Sequence, residues 1–116
     1  MSEKSLQTEI MLAGSTPTAR LWRNVVGSFP TESGGRVRTG LAIGSSDLIG
    51  LTAIEITPAF VGRKVAVFTA IEVKAGARVT DAQLAYISMV RGLGGIAGIA
   101  ESVKDYQTLI DHYNNN

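Results

Sequence analysis

The chain has 116 residues, a length for one domain spanning 1–116, and its 45% hydrophobic content can supply a core. Eleven basic residues against ten acidic ones leave a net charge of +1, so any basic surface must be local rather than a general coat. The absence of cysteine excludes disulfides, thiolate zinc sites and cysteine nucleophiles, and the lone His112, close to the C-terminus, excludes paired-histidine chemistry. No apolar run approaches membrane-spanning length and Met1 to Glu9 lacks a signal pattern, which predicts a cytoplasmic protein with no membrane partner. Catalytic groups would have to be carboxylates, Lys, Arg, hydroxyls and a bound metal.

In chain order, Leu6, Ile10 and Ala13 recur at helical spacing and predict a first helix over 3–13, ended by Gly14-Ser15-Thr16-Pro17. Leu21 to Val26 reads as a short strand. Gly27 to Gly40 holds four glycines with Arg36 and Arg38 and reads as a long loop. Asp47 to Thr57 and Lys64 to Lys74 read as two strands of a hairpin that turns at Pro58 to Gly62. Thr80 to Leu93 is a helix with Leu84, Ile87 and Val90 on one side, and Gly95 to Ala100 is a short apolar strand. Ser102 caps a last helix. The fold expected is α/β, in the order α-β-β-β-α-β-α, with a mixed sheet of about four strands flanked by helices.

The chemistry concentrates at the end of the 64–74 strand. Alternation puts Ala66, Phe68, Ala70, Glu72 and Lys74 on one face, so two opposite charges finish an otherwise apolar row. Burying them without partners would cost several kcal/mol, roughly. Counting from Phe60, Asp47 stands 13 residues back while Glu72 and Lys74 stand 12 and 14 forward, so the hairpin register makes Asp47 their cross-strand neighbour. Two carboxylates beside a lysine suit a hard divalent cation such as Mg²⁺, with the lysine orienting a water or offsetting phosphate charge. The alternative is an ordinary Glu–Lys pair with an unrelated Asp in a turn.

Several ordered segments resemble the VRR-NUC nuclease domain of the PD-(D/E)XK, restriction-endonuclease-like superfamily. They are Gly44-Ser45-Ser46-Asp47-Leu48-Ile49-Gly50, Phe68-Thr69-Ala70-Ile71-Glu72-Val73-Lys74, Thr80-Asp81-Ala82-Gln83, Arg23 to Gly27, and Gly94-Gly95-Ile96-Ala97. The resemblance covers essentially the whole chain at the compact length of stand-alone phage members. It implies a restriction-endonuclease-like core and a Mg²⁺- or Mn²⁺-dependent deoxyribonuclease in a bacterial or phage-infected cell. It makes Asp47, Glu72 and the Val73 carbonyl metal ligands, Lys74 the catalytic lysine and Gln83 a supporting residue. An acidic residue on the first helix is also implied: Glu3, which pairs with Gln7 at i+4, or alternatively Glu9. The family's stand-alone members further imply a homodimer acting on branched DNA such as a four-way (Holliday) junction.

Gln83 also completes a capping box with Thr80, and one rotamer is expected to serve either the cap or the site. Arg23, Arg36 and Arg38 are candidate DNA phosphate contacts. The Arg91 to Gly98 glycines follow a helix and enter a strand, the reverse of a dinucleotide-binding turn. The rival function is a non-catalytic DNA-binding domain that keeps the nuclease fold, against which stands the retention of Asp47, Glu72 and Lys74 together.

Overall fold

The computed structural model describes residues 2–114. It is α/β, with three α-helices, six short strands and one 3₁₀ turn at Pro58–Phe60. The described chain divides into two compact units, 1–54 and 55–116.

In the first unit, α1 (Glu3–Ala13) starts where the Ser2 hydroxyl accepts a hydrogen bond from the Ser5 amide, 3.1 Å. β1 (Ala19–Arg23) pairs antiparallel with β4 (Leu48–Thr52), with Arg23 opposite Leu48. Gly50 is required in that ladder, because a Cβ there would run into the Arg20 carbonyl. Between them lies a hairpin absent from the sequence expectation. β2 (Gly27–Pro30) pairs with β3 (Arg36–Thr39), so Phe29 lies opposite Val37 and Ser28 opposite Arg38. Residues 27–40 are thus mostly paired backbone, not a long loop.

In the second unit, β5 (Thr69–Val73) and β6 (Ile96–Ala100) pair in parallel, joined by α2 (Asp81–Gly92) in a β-α-β crossover. The most buried residues here are Ile87 and Val90 of α2 with Ala97 and Ala100 of β6. α3 (Val103–Asn114) begins as expected at Ser102, whose hydroxyl accepts from the Asp105 amide. Gly98 lets α3 sit close: a Cβ would come within 2.6 Å of the Leu109 side chain. The Arg91 guanidinium donates through Nε to the Ala97 carbonyl at 2.7 Å, occupying an acceptor on the free edge of β6.

Two expectations are corrected. The hairpin of 47–57 with 64–74 is replaced by two separate pairings, β4 with β1 and β5 with β6. The β-branched residues of 53–68 suggested continuous strands, but a 3₁₀ turn with Pro58 interrupts that stretch and only Leu48–Thr52 and Thr69–Val73 keep strand geometry. The strands form three two-stranded ladders, not one mixed sheet of four. No helix among the described residues is long and apolar enough to cross a membrane.

Candidate active site

Glu72 and Lys74 fall two residues apart near the end of β5 and share a face, as the alternation requires. Lys74 Nζ lies 3.3 Å from Glu72 Oε1, and the Lys74 side chain is only 12% exposed against 31% for Glu72. An ammonium this covered needs a counter-charge, and the carboxylate supplies it.

A third polar side chain joins them from α2. Gln83 Nε2 donates to Glu72 Oε1 at 2.8 Å, while Gln83 Oε1 accepts from the Thr80 amide at 3.0 Å. The Thr80 hydroxyl accepts in return from the Gln83 amide at 3.1 Å, completing the capping box. The expectation that one rotamer could serve only cap or site is therefore overturned. A primary amide has an acceptor end and a donor end, and here each end takes one task. Thr80 N–H can only donate, so the amide must turn its oxygen to the helix start and its nitrogen to Glu72.

Glu72 Oε1 thus receives both Gln83 and Lys74, which sets the carboxylate's orientation. In a parallel ladder alternate residues turn their peptide groups to the partner strand. Phe68 accepts from Ile96 and Lys74 donates to Ala100. The Val73 carbonyl therefore lies on the edge of β5 turned away from β6. A carboxylate and a backbone carbonyl are hard oxygen donors of the type Mg²⁺ selects, and Mg²⁺ takes only one or two carboxylates from a protein. Among the described residues no three Asp, Glu, Cys or His side chains gather into one cation site.

Beside Glu72 and Gln83 is a recess of about 360 Å³ between β5 and α2. Tyr86 lines it, and burial pushes the Tyr86 phenol above its ordinary value of 10.0, so it is protonated at neutral pH.

The other expected site residues belong to the first unit. Asp47 is exposed just before β4, and its carbonyl accepts from the Asn24 amide at 2.8 Å. Glu3 lies in the first turn of α1, and Glu9 is exposed further along the same helix. Arg23 donates to Gln7 Oε1 at 2.7 Å and to the Thr8 hydroxyl at 2.8 Å, which ties α1 to the end of β1. Arg36 bonds the Ser28 hydroxyl and carbonyl across its hairpin, and Arg38 stands on the same face of β3. The structure therefore joins Glu72, Lys74 and Gln83 in one cluster within 55–116, while Asp47, Glu3, Glu9 and the three arginines fall within 1–54.

Sequence reasoning missed Asn24. Its Nδ2 donates to Ser45 Oγ at 2.7 Å and to the Ser46 carbonyl at 2.8 Å, and its Oδ1 accepts from the Leu41 amide at 2.9 Å. That one amide organises the turn that carries Asp47. The signal available was an asparagine at a strand end facing a glycine- and serine-rich turn, a place where its side chain substitutes for backbone partners.

No curated protein and no solved structure matches the chain. A family model described as VRR-NUC domain matches residues 2–104, a span that contains every segment carrying the resemblance. The chain therefore belongs to the VRR-NUC domain family, and its function is of the nuclease type, acting on DNA.

Proposed function

We propose that residues 1–116 act as a single Mg²⁺- or Mn²⁺-dependent endonuclease domain that hydrolyses DNA phosphodiester bonds. The observation that carries this is the convergence of Gln83 and Lys74 on one oxygen of Glu72 at the end of β5. An ion pair for stability alone would not need a glutamine whose amide orientation is fixed from the other side by a helix cap.

In this reading Glu72, Asp47 and the Val73 carbonyl hold the cation, and Gln83 keeps Glu72 in the orientation that binds it. A divalent cation held there supplies positive charge to the phosphate and makes water a better nucleophile at neutral pH. Lys74 holds the attacking water by hydrogen bonding and offsets the charge that builds on the phosphoryl oxygens. Glu3 assists from α1 in preference to Glu9. Glu3 shares a helix face with Gln7, which bonds Arg23, whereas Glu9 is turned roughly 200° away from Gln7 at about 100° per residue. Arg36 and Arg38 share the polar face of the β2–β3 hairpin and suit DNA phosphates. Arg23, already engaged with α1, serves first to fix that helix.

The substrate we infer is branched DNA, of the four-way-junction kind, cut by a homodimer inside a bacterial or phage-infected cell. A two-fold pair of sites matches a two-fold junction. Exposed apolar side chains such as Leu12 at 74% and Ile43 at 80% provide surface that a second copy would cover.

The test is cleavage of labelled four-way junction and matched linear duplex with Mg²⁺, Mn²⁺ or EDTA, comparing the unmodified protein with Lys74→Ala and Asp47→Ala. We expect metal-dependent cutting that falls at least about 100-fold in both variants, the scale of losing one preorganised catalytic group. Binding of DNA without cutting under any metal would replace this reading with a non-catalytic DNA-binding domain. Equal cutting of junction and duplex, or a monomer by light scattering, would remove branch selectivity or the two-site arrangement respectively.

A further inference from the structure

We propose that the recess between β5 and α2 receives an unpaired nucleobase next to the phosphate being cut, with Tyr86 as its stacking partner. This rests on the nuclease reading of Glu72 and deepens it by naming what the site recognises.

The recess shares two of its walls, Glu72 and Gln83, with the cluster already described. The rest of its lining is apolar or aromatic: Ala70 and Ile71 from β5, and Ala82, Tyr86 and Ile87 from α2. At about 360 Å³ it lies in the range of small-ligand sites. Its space exists because positions 70 and 82 carry only methyl groups. Gln83 and Tyr86 are three residues apart on α2, and so are neighbours on one helix face. The Tyr86 residue is 39% exposed, which leaves ring surface for contact.

Chemistry narrows the occupant. A phosphate belongs with Lys74 and the cation at the strand end, not in an apolar recess beside a carboxylate. The part of a nucleotide that prefers such a recess is the flat, weakly polar base, and base-on-aromatic stacking is tolerant of sequence. The rim supplies polar groups for a base edge. In a duplex the neighbouring base is stacked and paired, and turning it out is costly; at a branch point or frayed end that cost is least. The recess therefore offers a direct physical reason for preferring distorted or branched DNA. A phosphate-only site would have none.

The experiment crosses protein and substrate changes. Each nucleotide flanking the mapped cut is replaced by an abasic analogue, and kcat/KM is measured for the unmodified protein, Tyr86→Phe and Tyr86→Leu. At one position the missing base should lower kcat/KM about 5- to 150-fold, the equivalent of one stacked base. Tyr86→Leu should cause the same loss on the intact substrate, and the two losses should not multiply when combined. Tyr86→Phe should retain most of the activity. Multiplying losses, or Tyr86→Leu acting equally at every substrate, would overturn the proposal and leave Tyr86 as packing.

A second readout avoids catalysis. The Lys74→Ala protein is titrated with junction DNA carrying 2-aminopurine at the same position, and the fluorescence change is compared with that of Lys74→Ala/Tyr86→Leu. A Tyr86-dependent change here, together with an unmodified protein that cuts no substrate with either metal, would uphold the base recess while sinking the nuclease reading. Cutting with no base dependence and no fluorescence change would sink the recess alone.

Discussion

The two halves of this molecule are held together by different means. In residues 55–116, Ile87, Val90, Ala97 and Ala100 are buried, and Val90 is wholly so, which puts most of the stabilisation of β5, α2 and β6 in apolar packing. Among the described residues of 1–54, only Leu51 reaches that degree of burial. The first half relies instead on hydrogen-bonded ladders and on two side chains, Arg23 and Asn24, that bridge elements distant in sequence. Close packing spreads stabilisation over many contacts and registers even a lost methylene, whereas a polar hub concentrates its effect on the few segments it bridges. The expected metal-binding Asp47 sits on the half built around a hub, and the Glu72 cluster on the half built around a core.

That contrast can be broken by substitution. Ile87→Ala should cost most, about 2–5 kcal/mol, by leaving a cavity under α2, and should lower the melting temperature accordingly. Hydrogen exchange should then quicken first in 96–100; equal loss of protection in 19–52 would mean that the halves unfold as one cooperative unit. Asn24→Ala should cost less, about 1–3 kcal/mol, since it removes a side chain that meets three partners. Its effect should be confined to amide exchange in 41–47, and protection lost across β6 would refute the division. Thr80→Ala is expected to be the mildest, about 1 kcal/mol for the lost hydroxyl cap, measured by thermal melting. Because the same cap steadies the Gln83 amide that donates to Glu72, Mn²⁺ affinity should weaken with it, by about fivefold at most, the ratio that ~1 kcal/mol corresponds to.

What was legible in the sequence follows the range of the forces involved. α1, α2 and α3 could be read because helix starts are local: Ser2, Thr80 and Ser102 each announce a cap within three residues. The Glu72–Lys74 pairing was equally local, fixed by strand alternation. The partners of β4 and β5 were not, because β-propensity says that a segment will pair without naming its partner. The hairpin β2–β3 escaped notice since Gly34, Gly35 and Pro30 outweighed the short alternation of Phe29 and Val37 against Arg36 and Arg38. Gln83 shows a different kind of miss. Its two roles were seen but set against each other, because a side-chain amide was treated as one contact rather than two.

The capping box of α2 has a mechanical consequence. The hydrogen bonds that begin this helix run on without a break, from the Thr80 peptide through the Gln83 amide to the Glu72 carboxylate. If the first turn of α2 unwinds, Gln83 loses the constraint on its direction and Glu72 loses a donor in the same event. Winding one turn of helix and fixing the direction of the Glu72 carboxylate are thereby coupled, and if Glu72 is the cation ligand proposed above, the strength of a helix start sets the fraction of molecules ready to bind the ion.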